Sequence, residues 1–127
     1  MICLNKTFKN YLINCSAIKM GLDYNISIYG GDKSHIGAVA LGLPLPSLQD
    51  NNKISSSVSL ITVPTHKEDS IVLKAAKFIS QELNSTVVVA CGIHIGNITF
   101  DEIKELTNII DNLIIEIVNK IKSEVSI

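Results

Sequence analysis

Arginine is absent from this 127-residue chain, and so is tryptophan. Every basic residue is a lysine, which excludes the bidentate recognition of phosphate or guanine that a guanidinium provides. Aromatic residues make up 5% of the chain and the net charge is −1, with no cluster of lysines, so nucleic acid is not an expected partner. No apolar run approaches a membrane span, and Met1 to Asn10 lacks the apolar stretch and cleavage site of a secretory signal. Only three cysteines occur, Cys3, Cys15 and Cys91, an odd set without paired spacing. That usage fits buried free thiols and a cytoplasmic location. Neither a dinucleotide fingerprint nor a P-loop is present, and no serine sits in a nucleophile elbow.

What is present is 46% hydrophobic residues against 18% charged ones, the balance of one globular domain over 1–127. Near-zero net charge with so much apolar surface favours self-association, and a homodimer is expected. Tyr11 to Lys19 reads as a first strand. Leu22, Tyr24, Ile26 and Ile28 alternate with polar residues as a second, which Gly30-Gly31 breaks. Ile36 to Leu43 suits a buried third strand, which Pro44 and Pro46 take out of the sheet. Ser47 to Ser56 reads as a loop, and Val58, Leu60 and Thr62 as a fourth strand. Thr65 and Glu68 have capping-box spacing and open a helix with Val72, Ala75, Ala76, Ile79 and Leu83 on one face; Asn84 suits its exit. Val87 to Ala90 is a fifth strand. Thr99 and Glu102 form a second capping box, followed by a stripe through Ile103, Leu106, Ile110, Leu113, Ile117 and Ile121. Ile109, Ile114 and Val118 widen that stripe enough to suggest a partner surface. The order β-β-β-β-α-β-α predicts an α+β fold, a mainly antiparallel sheet with two helices on one face.

All three histidines lie in short segments rich in glycine or acid: Gly30-Gly31-Asp32-Lys33-Ser34-His35-Ile36-Gly37, Thr65-His66-Lys67-Glu68-Asp69, and Cys91-Gly92-Ile93-His94-Ile95-Gly96-Asn97. Imidazole is the commonest metal ligand and titrates near neutrality. Singly, each segment has a plain reading. Gly30-Gly31 is a hairpin turn, His35 and His94 are satisfied by backbone carbonyls, and Glu68 and Asp69 complement a helix dipole. Cys91 could pair with His94 as nucleophile and base, but a cysteine ending a valine strand is more often inert. Lys67 does not fit the dipole and is better used with free amides at an anion site. Lys33 and the glycine amides could likewise hold a phosphate. Together, His35, His66 and His94 could give three nitrogens to one divalent metal, with Asp69 orienting a ring.

In order, these segments resemble the small prenylated-flavin chaperone family, the D subunit of gallate-type decarboxylases. The matching pieces are Gly-Gly-x-x-x-His-Ile-Gly at 30–37, His-Lys-x-Asp at 66–69, Gly-Ile-His at 92–94, Asn97-Ile98 and the terminal helix. Ser34 stands where relatives have proline, and Gly96 where some carry a polar residue. The resemblance implies a non-catalytic accessory protein that binds prenylated FMN as cargo and delivers it to the large subunit of a decarboxylase. The cofactor contacts it implies are Gly30, Gly31, Lys33, His35, Gly37, His66, Lys67, Gly92, His94 and Asn97. Two alternatives stand beside it: a small metal-dependent hydrolase using the three histidines with Glu68 or Asp69 as base, and a purely structural decarboxylase subunit.

Overall fold

The computed structural model describes residues 1–49, 52–64 and 68–125. Six strands form one mixed sheet: β1 (Ile2–Phe8), β2 (Tyr11–Met20), β3 (Asp23–Gly31), β4 (Lys33–Pro46), β5 (Ile54–Thr62) and β6 (Val87–His94). Helix α1 (Asp69–Leu83) precedes β6 and α2 (Phe100–Val125) follows it. The sheet order is β1-β2-β3-β6-β4-β5, antiparallel throughout except for the β3–β6 pair. Both helices lie side by side on one face, α1 over β4, β5 and β6 and α2 over β1 and β2. The α+β class and the helices on one face are as the sequence predicts, with one strand more.

The additional strand is β1, whose Ile2, Leu4 and Phe8 point to the helices while Cys3, Asn5 and Thr7 point away. Lys6 interrupts the apolar register, and its ammonium reaches Glu116 of α2 at 2.8 Å. Three further expectations are corrected. Gly30-Gly31-Asp32 is not a hairpin turn, because β6 lies between β3 and β4 and the link crosses the end of β6. Pro44 and Pro46 stay in β4, paired with Ser56 and Ile54, where β4 has run past β6 and no neighbour needs the missing N–H. The wide stripe on α2 is not a free partner surface. Ile110, Leu113, Ile114, Ile117, Val118 and Ile121 are all buried within the chain, each worth about 1.5–3 kcal/mol.

The core lies between helices and sheet, where Ile13, Cys15 and Ala17 of β2, Ile26 and Ile28 of β3, Val87, Val89 and Cys91 of β6 and Ala38 and Ala40 of β4 meet α1 and α2. Helix α1 ends as expected at Asn84, left-handed at φ 47°, whose N–H donates to the Ser80 carbonyl. No helix is long and apolar enough to cross a membrane among the described residues.

Candidate functional site

One corner of the sheet gathers most of the glycine and histidine segments. The parallel strands β3 and β6 both end there, β4 begins there, and both helices have their N-termini there. Gly31 lies opposite His94, and the Asp32 amide donates to the His94 carbonyl at 2.6 Å. A Cβ on Gly31, whose φ is 81°, would lie 2.3 Å from that carbonyl, so only glycine lets the link pass this close. The Asp32 carboxylate accepts the Gly96 amide at 2.8 Å, tying the link to the loop before α2. It also accepts the Tyr11 hydroxyl, which, helped by some burial, holds that phenol above its ordinary range.

β4 bulges between Ser34 and Ala38. The bulge brings the His35 backbone against Gly92, where an added Cβ would meet the His35 carbonyl oxygen at 1.7 Å. It also turns the His35 ring to the helix side of the sheet. There Nδ1 lies 3.3 Å from the Lys33 carbonyl and Nε2 lies 3.2 Å from Glu68 Oε1. The same carboxylate oxygen accepts the Ile93 amide at 3.4 Å. Its other oxygen is buried with no hydrogen-bond partner among the described residues and fills the space left by Gly37, where a Cβ would stand 2.2 Å away. An acceptor left in that state costs about 1–3 kcal/mol.

This use of Glu68 corrects its expected role in a capping box. The residue is itself the N-cap of α1, and its side chain makes no cap hydrogen bond. Among the described residues, no side chain caps the first amides of α1. At α2 the expected box is present, with the Thr99 amide donating to Glu102 Oε1 at 3.0 Å and the Glu102 amide to Thr99 Oγ1 at 3.2 Å. The two N-termini thus differ in what they leave for an anion.

Of the residues expected from sequence, Gly30, Gly31, Lys33, His35, Gly37, Gly92, His94 and Asn97 all fall at this corner. Asn97 has a φ of 58° in the loop beside Gly96. Thr65, His66 and Lys67 lie outside the described residues. Asp69 is exposed in the first turn of α1. His35 and His94 do not converge. Alternation along β6 sends Cys91 and Ile93 towards the helices and exposed His94 to the other side, while His35 faces Glu68. Among the described residues no group of three His, Cys, Asp or Glu could hold a metal ion, so neither the three-histidine metal nor the hydrolase built on it gains support. Alternation also separates Cys91 from His94. The Cys91 thiol is pushed far up by burial and, secondarily, by Glu68 and Cys15, which suits packing rather than attack. Sequence reasoning passed over Asp32 and Tyr11, and read Glu68 only as a cap or base. The available signal was an acid between a glycine pair and a lysine, at a link too short to be polar for solubility alone.

The model of one family, described as the prenylated flavin chaperone LpdD-like domain, matches residues 7–122. The chain belongs to that family. The family match covers β2 through nearly all of α2 and includes every glycine and histidine of the corner. No curated protein matches the sequence. Among solved structures, the crystal structure of a novel chaperone complex for yeast 20S proteasome assembly is similar with a TM-score of 0.49 and 9% identity, covering 90% of this chain and 99% of that one.

A cavity of about 450 Å³ lies at the opposite end of the sheet, lined among others by Lys19, Tyr24, Ser85, Ile121 and Lys122. At its wall Lys122 bridges to Glu82 at 2.8 Å, and the Ser85 hydroxyl donates to the Leu83 carbonyl at 3.0 Å. None of the described family-motif residues lines it, so size alone does not make it the site.

Proposed function

We propose that this protein is a non-catalytic accessory chain that binds prenylated FMN as cargo and passes it to the large subunit of a prenylated-FMN-dependent decarboxylase, working as a homodimer. Membership of the prenylated flavin chaperone family over nearly the whole chain carries this reading. The corner supports it with chemistry suited to the phosphate end of such a cargo. Helix α1 offers amides that no described side chain caps, and Lys33 stands at the start of β4 nearby. His66 and Lys67 immediately precede Glu68 in the chain. The glycines at 30, 31 and 92 let the chain's own backbone pack closely there, so they build the corner that carries Lys33 and the α1 N-terminus.

The test is anaerobic titration of the purified protein with reduced prenylated FMN, followed by fluorescence. Tight binding is expected, weakened at least ~10-fold when the phosphate is removed or Lys33 is replaced by alanine, the loss of one charge-assisted hydrogen bond. Co-expression of a decarboxylase and its flavin prenyltransferase with this chain should raise cofactor loading. Equal loading with and without the chain overturns the proposal.

A further inference from the structure

Of the three tyrosines, two use their hydroxyls: Tyr11 on Asp32, and Tyr29 with Ser16 at 3.3 Å. Tyr24 is the most deeply placed of the three, only 8% exposed, yet its hydroxyl has no hydrogen-bond partner among the described residues. A tyrosine so covered ordinarily finds one. The hydroxyl is not sealed in, because Tyr24 lines two adjoining cavities at the end of the sheet away from the glycine corner. One is the cavity of about 450 Å³ described above, and the other holds about 150 Å³. Lys19, Tyr24 and Ile121 line both and so stand at their junction. The pairing of β2 with β3 puts Lys19 directly opposite Tyr24, on the face that Ala17 and Ile26 turn to the helices. Such cross-strand partners have Cβ atoms about 5 Å apart, which presents ammonium and phenol side by side. Lys19 forms no ion pair among the described residues, whereas Lys122 in the same wall is closed by Glu82. Leu22, itself 85% exposed, Leu83 and Ile121 give the larger cavity its apolar surface.

We infer that this cleft binds a small carboxylic acid with an apolar body. Its carboxylate is received between the Lys19 ammonium and the Tyr24 hydroxyl, and its body lies against Leu22, Leu83 and Ile121. The flavin reading is not needed for this. Burial, and next the charge of Glu124, hold the Tyr24 phenol above its ordinary range, so it stays protonated and donates, which is what a carboxylate takes. One negative charge matches the one uncommitted ammonium. A phosphate dianion does not suit this end of the molecule, where α1 and α2 both finish and turn their negative dipole ends. Glu82 and Glu124, one in each cavity, add charge of the same sign. An amine held by Glu124 would in turn face Lys19 and Lys122. The larger cavity also lies within the roughly 300–1,000 Å³ of small-molecule sites.

Calorimetric titration of the full chain at neutral pH with 3-phenylpropionate and with hexanoate tests the assignment. At least one of the two acids should bind saturably, once per chain. The amine 2-phenylethylamine, of similar body and opposite charge, should not bind. Tyr24→Phe removes a hydroxyl that serves no bond within the fold, so Tm should stay at the wild-type value while affinity for the acid falls ~10-fold, one charge-assisted hydrogen bond. Lys19→Gln should weaken binding at least as much. Glu124→Gln takes a like charge from the smaller cavity and should tighten binding about 2–5-fold. Failure of both acids to bind, an amine bound as tightly as the acid, or full affinity in both Tyr24→Phe and Lys19→Gln overturns the assignment. The prenylated FMN titration should be the same for Tyr24→Phe as for the wild type. A change there would put acid and flavin in one site and overturn this one.

Discussion

Replacing Gly92 by alanine puts a methyl group where the β4 bulge already runs. The added Cβ would lie 1.7 Å from the His35 carbonyl oxygen and 2.3 Å from its carbon, both backbone atoms, against the 3.4 Å or more of ordinary contact. Gly92 does not have a positive φ, so the cost is contact and not backbone strain. Moving the bulge costs about 1–3 kcal/mol as overpacking. Loss of one cross-strand hydrogen bond adds about 1 kcal/mol. Alanine recovers about 0.4–1 kcal/mol by restricting the unfolded chain. The net is a loss of about 2 kcal/mol, which for a chain of this length lowers Tm by roughly 8 °C. At Gly37 the clash, 2.2 Å, is with the end of the Glu68 side chain, which can rotate away. There the loss is about 1 kcal/mol, the worth of the displaced Ile93 hydrogen bond. At Gly96 the nearest atom is 3.6 Å away, and alanine should be neutral or slightly stabilising. Thermal and urea unfolding of the three variants, with m unchanged, should give the order Gly92→Ala below Gly37→Ala below Gly96→Ala. Equal stability of Gly92→Ala and Gly96→Ala would refute the account of the corner as a packed junction.

Two further outcomes follow from the geometry. Asp32→Ala removes the acceptor that holds the Tyr11 phenol above its ordinary range, so that phenol should ionise at lower pH, as read by ultraviolet difference titration against wild type; an unchanged curve would mean the pair is not formed. In the native protein Cys15, whose thiol burial pushes up to about 12, and Cys91 should resist an aromatic disulfide reagent that modifies all three thiols in denaturant, and rapid native labelling of either would contradict the burial.

The helices, their lengths and their apolar faces were legible in the sequence because the 3.6-residue period and the Thr99–Glu102 box are local signals. All five expected strands were legible too, because alternation and β-branched content are likewise local signals. Strand β1 was not, because Lys6 stands in its inward register and is rescued only by Glu116, a residue 110 positions away. Nor was the route of the chain after Gly31. A glycine pair between two strands is locally a hairpin, and only the later arrival of β6 makes it a bridge. The α2 stripe was read correctly as apolar but too wide for one sheet, since sequence does not show that α1 lies beside α2 and takes its share. The corner residues were mostly named in advance. The part played by Glu68 was hidden because a glutamate three residues after threonine is the ordinary mark of a cap, and what draws it inward is the space left by Gly37.

The insertion of β6 between β3 and β4 also has a consequence for how the chain is made. When the chain as far as Thr62 has emerged from the ribosome, it contains two separate ribbons, β1-β2-β3 and β4-β5, each with an inner edge of unpaired amides and carbonyls. Their proper partner is Val87–His94, synthesised after α1. At about 5–20 residues per second those edges stand open for seconds, the interval in which mispairing and aggregation compete with folding. The single residue Asp32 between the ribbons keeps a slot about two strand spacings wide, and the sheet closes when the valine strand fills it. Sheet formation in this protein is therefore a late, long-range event, and its refolding should be slow for its size.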